Sequence, residues 1–377
     1  MGFLDHLRTY GPSLGPARLA RLALAKWAKS RDKARTAREL AEPESEADLC
    51  QRLGLPEDPT QRAKALRDLL APLAEASLPF EPHTGPLRRR ADLVLEGEQL
   101  LFGQRLQVGW PVNWDWRWDG TDNVDRFRDD VRSTWEVQRL QGILPLARAA
   151  HAVGDQDGER YATAYLEALQ SFHEAHPGPH GLAWESALEV GLRLIALAQG
   201  LPLVAHSHAF AEHHLTALRM VDRHARWLRA DLSLDKAVRG NHLLGELAGL
   251  VSAGMLFPSA QPVWWKRLLP REILLTEAQT QITADGVSVE QSLTYEKFVL
   301  ELLALPAALA ELRHEPLGLD ARLAACALHL DLATAPDGAL PRIGDCDSGR
   351  GADWGDEDPH RPKNLVAYVR DRWGTPK

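Results

Sequence analysis

The chain has 377 residues, of which 45% are hydrophobic and 25% charged, a balance that excludes collagen-like, coiled-coil-only and wholly disordered classes. Its 44 Lys and Arg against 52 Asp and Glu give a net charge of −8, which argues against a general nucleic-acid binder. Any acidic ligand would therefore need a local basic cluster. The three cysteines are too few and too scattered to predict a disulfide framework or a zinc site.

The N-terminal part of the chain is basic and contains one predicted strand region. No uninterrupted apolar segment precedes a small-residue cleavage site, and no run of 18 apolar residues occurs, so we predict neither an export signal nor a transmembrane segment. Residues 16–40 are expected to form a surface helix packed by its Leu and Trp side chains, with an anionic membrane surface as the alternative. Residues 92–109 alternate between apolar and polar residues, as short strands do. We assign residues 1–104 to an N-terminal helical arm with this small strand region.

Most of the chain after residue 124 shows the 3.6-residue hydrophobic period of helices. The predicted helices span 124–153, 158–176, 183–199, 208–229, 237–256, 263–281, 290–313 and 319–335. Short links between helices favour antiparallel neighbours, so the fold class is mainly α, built from helical hairpins in a toroid or an irregular bundle.

A tryptophan-rich segment, WPVNWDWRW, comes before these helices. Pro111 and the alternating aromatic residues predict an extended loop in which Trp114, Trp116 and Trp118 face one way. Such a row can stack on sugar rings, and a loop that plugs the end of the helical core with its indoles explains the pattern equally well.

Charged residues recur at helical spacing in two later segments. Glu189 and Arg193 lie four residues apart, as do Trp135 and Arg139, so each pair shares a helix face. We favour a structural ion-pair role over the alternative in which Arg139 or Arg193 binds a ligand carboxylate.

The segment RGNHLLGE combines groups that can receive an anion. A helix beginning near residue 240 would place Asn241 at its N-terminal end and put His242 and Glu246 on the next face. Asn241 alone is more often an ordinary N-cap.

Two further segments follow this helix. Tyr295 is predicted one turn into a helix, with Glu290 before it, and its simpler interpretation is a core tyrosine. The Gly and Asp residues of LPRIGDCDSGR predict a structural turn, since calcium loops need more ligands.

Taken together and in this order, the segments resemble the heparinase II/III family of polysaccharide lyases and the related alginate lyases. The matching stretches cover about residues 105–350 and are GWPVNWDW, TWEVQRLQGILPLARAAHAVGD, GLAWESALEVGLR, RGNHLLGELAGL, QTQITADGVSVEQSLTYEKFVLE and LPRIGDCDSGR. The resemblance implies an incomplete (α/α) toroid over residues 105–350. In the family a β-sandwich domain follows, so we expect residues 351–377 to be a tail or the start of a missing β domain.

The resemblance also implies a reaction. A family lyase removes the C5 proton of a uronic acid and expels the oxygen at C4, and it needs neither a metal nor another cofactor in principle. Asn241 and His242 match the groups that neutralise the substrate carboxylate, and Tyr295 matches the tyrosine that acts as base, acid or both. A phenol with its ordinary pKa of about 10 needs a nearby positive charge, for which Arg239 and His242 are candidates.

Further residues are expected to bind the substrate, and two other functions are possible interpretations of the same sequence. Glu246 would orient His242. The candidate residues for binding an acidic polysaccharide substrate are the tryptophan row, Arg139, Glu189, Arg193, Arg239 and Glu246. The family's β-sandwich histidine has no counterpart here, so we expect a fragment, a chain that works with a partner, or a chain whose activity is reduced or lost. A non-catalytic acidic-glycan-binding or capsule-assembly module is the first alternative. A helical-toroid glycoside hydrolase is the second, with candidate carboxylates at Glu185, Asp285 and Glu290.

Overall fold

The computed structural model describes residues 16–77, 84–117, 131–153, 155–235, 240–265, 269–346 and 348–374, with side chains placed at all but residues 16–23, 155, 235 and 263. Helices dominate these residues, which confirms the mainly α class. The helices are α1 (Pro16–Ala41), α2 (Glu46–Leu53), α3 (Pro59–Leu70), α4 (Thr84–Leu95), α5 (Val131–Gln138), α6 (Leu144–Val153), α7 (Asp155–Ala175), α8 (Ala187–Val204), α9 (His208–Asp231), α10 (Asn241–Leu256), α11 (Gln261–Trp265), α12 (Pro270–Gln281), α13 (Leu293–Leu312), α14 (Asp320–Ala333) and α15 (Lys363–Trp373).

Three helices, α8, α10 and α13, form an inner layer whose side chains are buried almost all round. A helix that is apolar on every face is stable only when other helices surround it. The surrounding helices supply this cover, because α9 packs on α7 and α8, α12 packs on α10, and α14 packs on α13. This alternation of inner and outer helices is the arrangement of an (α/α) toroid.

The inner helices run parallel to one another. Along α8 and α10, Leu188 meets Gly245 and Gly191 meets Gly249, so the contacts advance in the same direction on both helices. A Cβ on Gly249 would lie 2.5 Å from the Gly191 carbonyl oxygen, so these glycines permit the close approach of the two backbones. Because the helices are parallel, their N-terminal ends meet at one end of the ring.

The opposite end of the ring is covered by the N-terminal arm. Arg313, at the C-terminal end of α13, donates hydrogen bonds to the carbonyl oxygens of Met255 in α10 (2.8 Å) and Leu69 in α3 (2.9 Å). The 3₁₀ turn Ala71–Ser77 also packs against α8 and α13. The arm therefore closes the C-terminal ends of the inner helices and leaves their N-terminal ends to other segments.

The predicted strand region contains a two-stranded antiparallel hairpin, β1 (Glu98–Leu101) and β2 (Gln104–Gln107). Phe102 and Gly103 both adopt positive φ angles, 54° and 76°, as the two central residues of a type I′ turn do. The start of the predicted region is helical instead, because α4 extends to Leu95.

The prediction of one continuous helix over 124–153 is wrong. Among the described residues it is divided into α5, a 3₁₀ turn (Gln141–Ile143) and α6, and Leu140 between them has a φ of 64°. Gly142 packs so closely on Gln99 of β1 that a Cβ would lie 2.1 Å from the Gln99 Oε1 atom. Packing against the hairpin therefore interrupts a pattern that is helical by period alone.

The segment expected to be a tail or the start of a β domain packs against the toroid and ends in a helix. The Gly351 amide donates to Glu301 of α13 (2.9 Å), and Asp353 pairs with Arg148 of α6 (2.6 Å). Helix α15 then packs on α14. Between residues 351 and 374 the structure contains no strand.

Helix α8 is long and apolar enough to cross a membrane by length and composition alone. Inside the fold, 94% of this helix is buried among its neighbours, which is the position of a core helix. No other helix among the described residues passes the same test.

Candidate functional site

In α10, and in α13 up to Ala310, one residue each interrupts the burial, and both lie near the N-terminal ends of these helices. In α10 every residue is buried except His242, which is exposed. In α13 every residue from Leu293 to Ala310 is buried except Tyr295, which is half-buried. At the N-terminal ends of α10 and α13 the described residues that reach solvent are therefore the two positions singled out by the sequence.

Asn241 begins α10 and is bound by Glu290, which lies just before α13. Its side-chain Nδ2 donates to both Glu290 carboxylate oxygens, at 2.8 and 3.1 Å, and its backbone amide donates to Oε1 at 2.8 Å. A carboxylate at this point is stabilised by the helix dipole and by the unsatisfied amides of the first turn. Gly240 leaves room for it, since a Cβ there would lie 3.0 Å from Glu290 Oε1. The contact ties the ends of α10 and α13 together.

The start of α13 is fixed by a second loop. Ser292 caps the helix by accepting a hydrogen bond from the Tyr295 amide (3.2 Å). The hydroxyl groups of Ser292 and Thr294 both donate to the Asp345 carbonyl oxygen, at 2.6 and 2.9 Å. The backbone at Asp345 therefore packs on the first turn of α13, where the Tyr295 ring lies edge-on to Phe298 with centroids 6.5 Å apart.

Glu246 is fully buried and has a role that the sequence did not predict. Its two carboxylate oxygens accept hydrogen bonds from the backbone amide and the hydroxyl of Ser233, each at 2.6 Å. These bonds hold the 3₁₀ turn Ser233–Asp235 against α10. Orientation of the exposed His242 by Glu246 therefore stays a prediction, and Arg239 lies outside the described residues.

Arg139 and Glu189 form a buried ion pair between α8 and the end of α5. Arg139 donates from Nε and Nη2 to the two Glu189 oxygens, at 2.8 and 2.9 Å, and from Nη1 to Glu136. Arg139 is 7% exposed and both carboxylates are buried. The Arg139–Glu189 pair joins residues 50 apart in the sequence, whereas the four-residue spacing predicted that Glu189 shares a helix face with Arg193.

Arg193 lies in the core rather than at a cleft surface. It is 0% exposed, and it donates to His224 Nε2 (2.9 Å) and to the Ala183 carbonyl oxygen. Complete burial lowers the pKa of Arg193 to about 9, although Glu189 opposes the shift. Burial likewise holds the pKa of His224 well below its usual range, so the imidazole accepts from Arg193 as a neutral ring. The prediction that Arg193 contacts substrate is wrong for this conformation.

The tryptophan segment does not present a row of exposed rings. Trp114 is 5% exposed, donates from Nε1 to Ser171 (2.9 Å) and lies edge-on to Phe172. Trp116 is partly buried against the core, and Trp118 lies outside the described residues. The sugar-stacking prediction is therefore wrong for Trp114, and the plug interpretation describes it correctly.

Cys346 is a feature of the adjacent loop that the sequence did not single out. Its Sγ lies 3.8 Å from His360 Nε2 and 3.9 Å from Ser348 Oγ. Burial raises the pKa of this thiol, but hydrogen bonds from His360 and Thr294 outweigh burial and lower the pKa to about 6. Cys50 and Cys326 are fully buried, and none of the three cysteines is in a disulfide.

We therefore expect Cys346 to be the thiol that iodoacetamide alkylates first at pH 7. The thiolate is the reactive form, so the rate should follow its fraction and level off above about pH 7. Mass spectrometry of tryptic peptides over pH 5–9 measures the rate at each cysteine, with Cys346→Ser as the control. A rate at Cys346 that keeps rising from pH 7 to 9 would contradict the lowered pKa.

Within the described ranges, no group of three or more His, Cys, Asp or Glu side chains is arranged to hold a metal ion. Asn241, His242 and Tyr295 place an amide, an imidazole and a phenol at the N-terminal ends of α10 and α13. These groups donate hydrogen bonds and transfer protons.

Comparison with known proteins identifies relatives over the same residues. The family described as Heparinase II/III N-terminus matches residues 103–350. A heparin-sulfate lyase of Pedobacter heparinus is 30% identical over 203 residues, which are 52% of this chain and 28% of that protein. A heparin-sulfate lyase of Bacteroides thetaiotaomicron is 25% identical over 185 residues, which are 48% of this chain and 25% of that protein. The matches thus span little more than a quarter of these relatives.

Solved structures show the same fold. The crystal structure of heparan sulfate lyase HepC from Pedobacter heparinus superimposes with a TM-score of 0.53 at 22% identity, over 76% of this chain and 45% of that chain. A crystal structure of heparinase III gives a TM-score of 0.50 at 22% identity, over 67% of this chain and 39% of that chain. These likenesses establish the helical toroid.

Proposed function

The chain belongs to the heparinase II/III family of polysaccharide lyases, and on that premise we propose that it cleaves a uronate-containing polysaccharide by β-elimination. The observation that carries the proposal is the pair of openings in the inner layer. His242 and Tyr295 are the residues of α10 and of α13 up to Ala310 that reach solvent, and both lie where the parallel helices begin. A sugar unit at this end of the ring would meet both helices.

In the proposed reaction, the first requirement is to reduce the charge of the substrate carboxylate. The C5 hydrogen is a very weak acid while its neighbouring carboxylate stays fully charged, so donors must stabilise the enolate-like intermediate. Glu290 holds the Asn241 amide in place at the start of α10, and in the proposal this amide is one of the donors. In the proposal the imidazole of His242 is the second donor to the substrate carboxylate.

The second requirement is a proton acceptor and a proton donor. In the proposal Tyr295, as phenolate, takes the C5 proton, the electrons form the C4–C5 double bond, and the glycosidic oxygen at C4 leaves. The leaving oxygen receives a proton from the same phenol or from water, which balances the reaction. Ser292 and the loop at Asp345 would keep the ring in position by fixing the first turn of α13.

Heparan sulfate is the first substrate to test, because the curated relatives are heparin-sulfate lyases. The chain is incubated with heparan sulfate, alginate and hyaluronan while the ultraviolet absorbance of unsaturated uronate is followed. We expect an increase with at least one polyuronate and no requirement for added metal. The absence of a signal with all three would contradict lyase activity of this chain.

The same assay separates the two alternative functions. Binding of acidic oligosaccharides without product would identify a binding or assembly module. Release of reducing ends without the ultraviolet chromophore would identify a hydrolase. The contact of Glu290 with Asn241 makes the hydrolase the weaker alternative, because this carboxylate already serves a helix end.

A further inference from the structure

Helix α1 has one face that packs on the toroid. Lys29 donates to the Leu232 carbonyl oxygen (2.9 Å), Lys33 pairs with Asp231 at the end of α9 (2.7 Å), and Thr36 and Leu40 are buried. These residues recur at spacings of three and four, so they form a single stripe along the helix. The contacts of this stripe attach α1 to the toroid.

A second stripe of α1 faces solvent and carries two large apolar side chains. Leu24 is 64% exposed and Trp27 is 57% exposed, and the guanidinium of Arg31 lies 4.6 Å from the centre of the Trp27 ring. Arg35 and Arg38 continue the stripe and are also exposed. The sequence had favoured packing of the Leu and Trp residues against the protein, and that interpretation is wrong for Leu24 and Trp27.

The charge of α1 is opposite to that of the rest of the chain. The helix contains eight Lys and Arg against two Asp and Glu, a net charge of +6, whereas the whole chain carries −8. An anionic surface would attract the helix and repel the acidic body, so it would select one orientation. A second copy of the chain would present the same positive helix, which disfavours self-association through this face.

We propose that the outward stripe of α1 docks on an anionic lipid surface. An interfacial helix needs apolar side chains that enter the boundary between headgroups and acyl chains, together with Lys or Arg that contact acidic headgroups. Leu24 and Trp27 supply the first, and Arg31, Arg35 and Arg38 supply the second. A polyanionic glycan would use the arginines but would leave the exposed apolar pair unexplained.

The test is co-sedimentation of the chain with vesicles of phosphatidylcholine, with and without phosphatidylglycerol. We expect at least about tenfold stronger partitioning onto the anionic vesicles and weaker partitioning as salt rises. The double variant Leu24→Ser, Trp27→Ser should lose about tenfold in partitioning, and so should Arg31→Glu, Arg35→Glu. Leu332→Ser, which alters a 76% exposed residue on α14, is the matched control and should bind normally.

Unfolding temperatures equal to wild type will show that the variants are folded, which is expected because the substituted side chains are exposed. Equal binding of both vesicle types, no binding to either, or normal binding by the Leu24 and Trp27 variant would each overturn the proposal. Retention on a heparin column that is independent of Trp27, without vesicle binding, would assign the face to polyanions instead.

Discussion

Replacing Tyr295 with Phe is expected to lower the elimination rate by about 100-fold to 10,000-fold, the range for losing a positioned acid or base. The ring should remain edge-on to Phe298, and the Ser292 cap uses the backbone amide of residue 295, so the fold should be retained. The phenol is needed for proton transfer rather than for binding. The affinity for an acidic oligosaccharide should therefore change little.

Asn241→Ala, unlike Tyr295→Phe, is expected to affect substrate binding as well as the rate. Loss of the amide should reduce the rate by about 100-fold to 1,000-fold and should also weaken oligosaccharide binding, because the substrate carboxylate is charged before and during the reaction. Tyr368→Phe is the matched control for Tyr295→Phe. Tyr368 lies on α15, and loss of its hydroxyl leaves the ring packed on Trp354. Rates measured by ultraviolet absorbance and affinities measured by calorimetry separate the two roles. A normal rate for Tyr295→Phe would remove the phenol from the mechanism.

The sequence predicts the helices of the toroid well because the signal for a helix is local, whereas the closed arrangement was implied by the family resemblance. Hydrophobic period and turn residues define α7, α9, α13 and α14 to within a few residues of the structure. The break at Leu140 depends on the contact of Gly142 with β1, which is close in space and distant in sequence. Helix α15 was not predicted because the family resemblance assigned residues 351–377 to a tail or a β domain, and the place of this short helix on α14 is decided by tertiary packing.

Some residues of the candidate site could be predicted from the sequence and others could not. Asn241 and Tyr295 could be selected from sequence because helix starts and the family motifs mark them. The contact of Glu290 with Asn241 could not be predicted, because it joins a loop to a helix start 49 residues away in the sequence. Arg193 and Trp114 were misplaced because residue type alone does not distinguish a cleft from a core, and only burial does.

Replacing Arg139 with Met is expected to have the largest effect on stability, a loss of about 3–5 kcal/mol in the free energy of unfolding at pH 7. The substitution keeps the volume of the side chain but leaves Glu136 and Glu189 buried without their cation. Both carboxylates are at most 5% exposed, so solvent cannot replace the lost partner. Urea unfolding followed by circular dichroism measures the change.

The pH dependence of this loss distinguishes electrostatics from packing. Without Arg139, desolvation favours the protonated forms of both carboxyl groups in the folded state more than in the unfolded state. The folded variant then binds more protons than its unfolded chain, so its stability should rise as pH falls from 7 to 5, and the deficit relative to wild type should shrink. Lys64→Met is the matched control, because Lys64 and Asp68 form an exposed pair whose loss should cost at most about 1 kcal/mol. A deficit that is constant across this pH range would mean that Arg139 acts through packing alone.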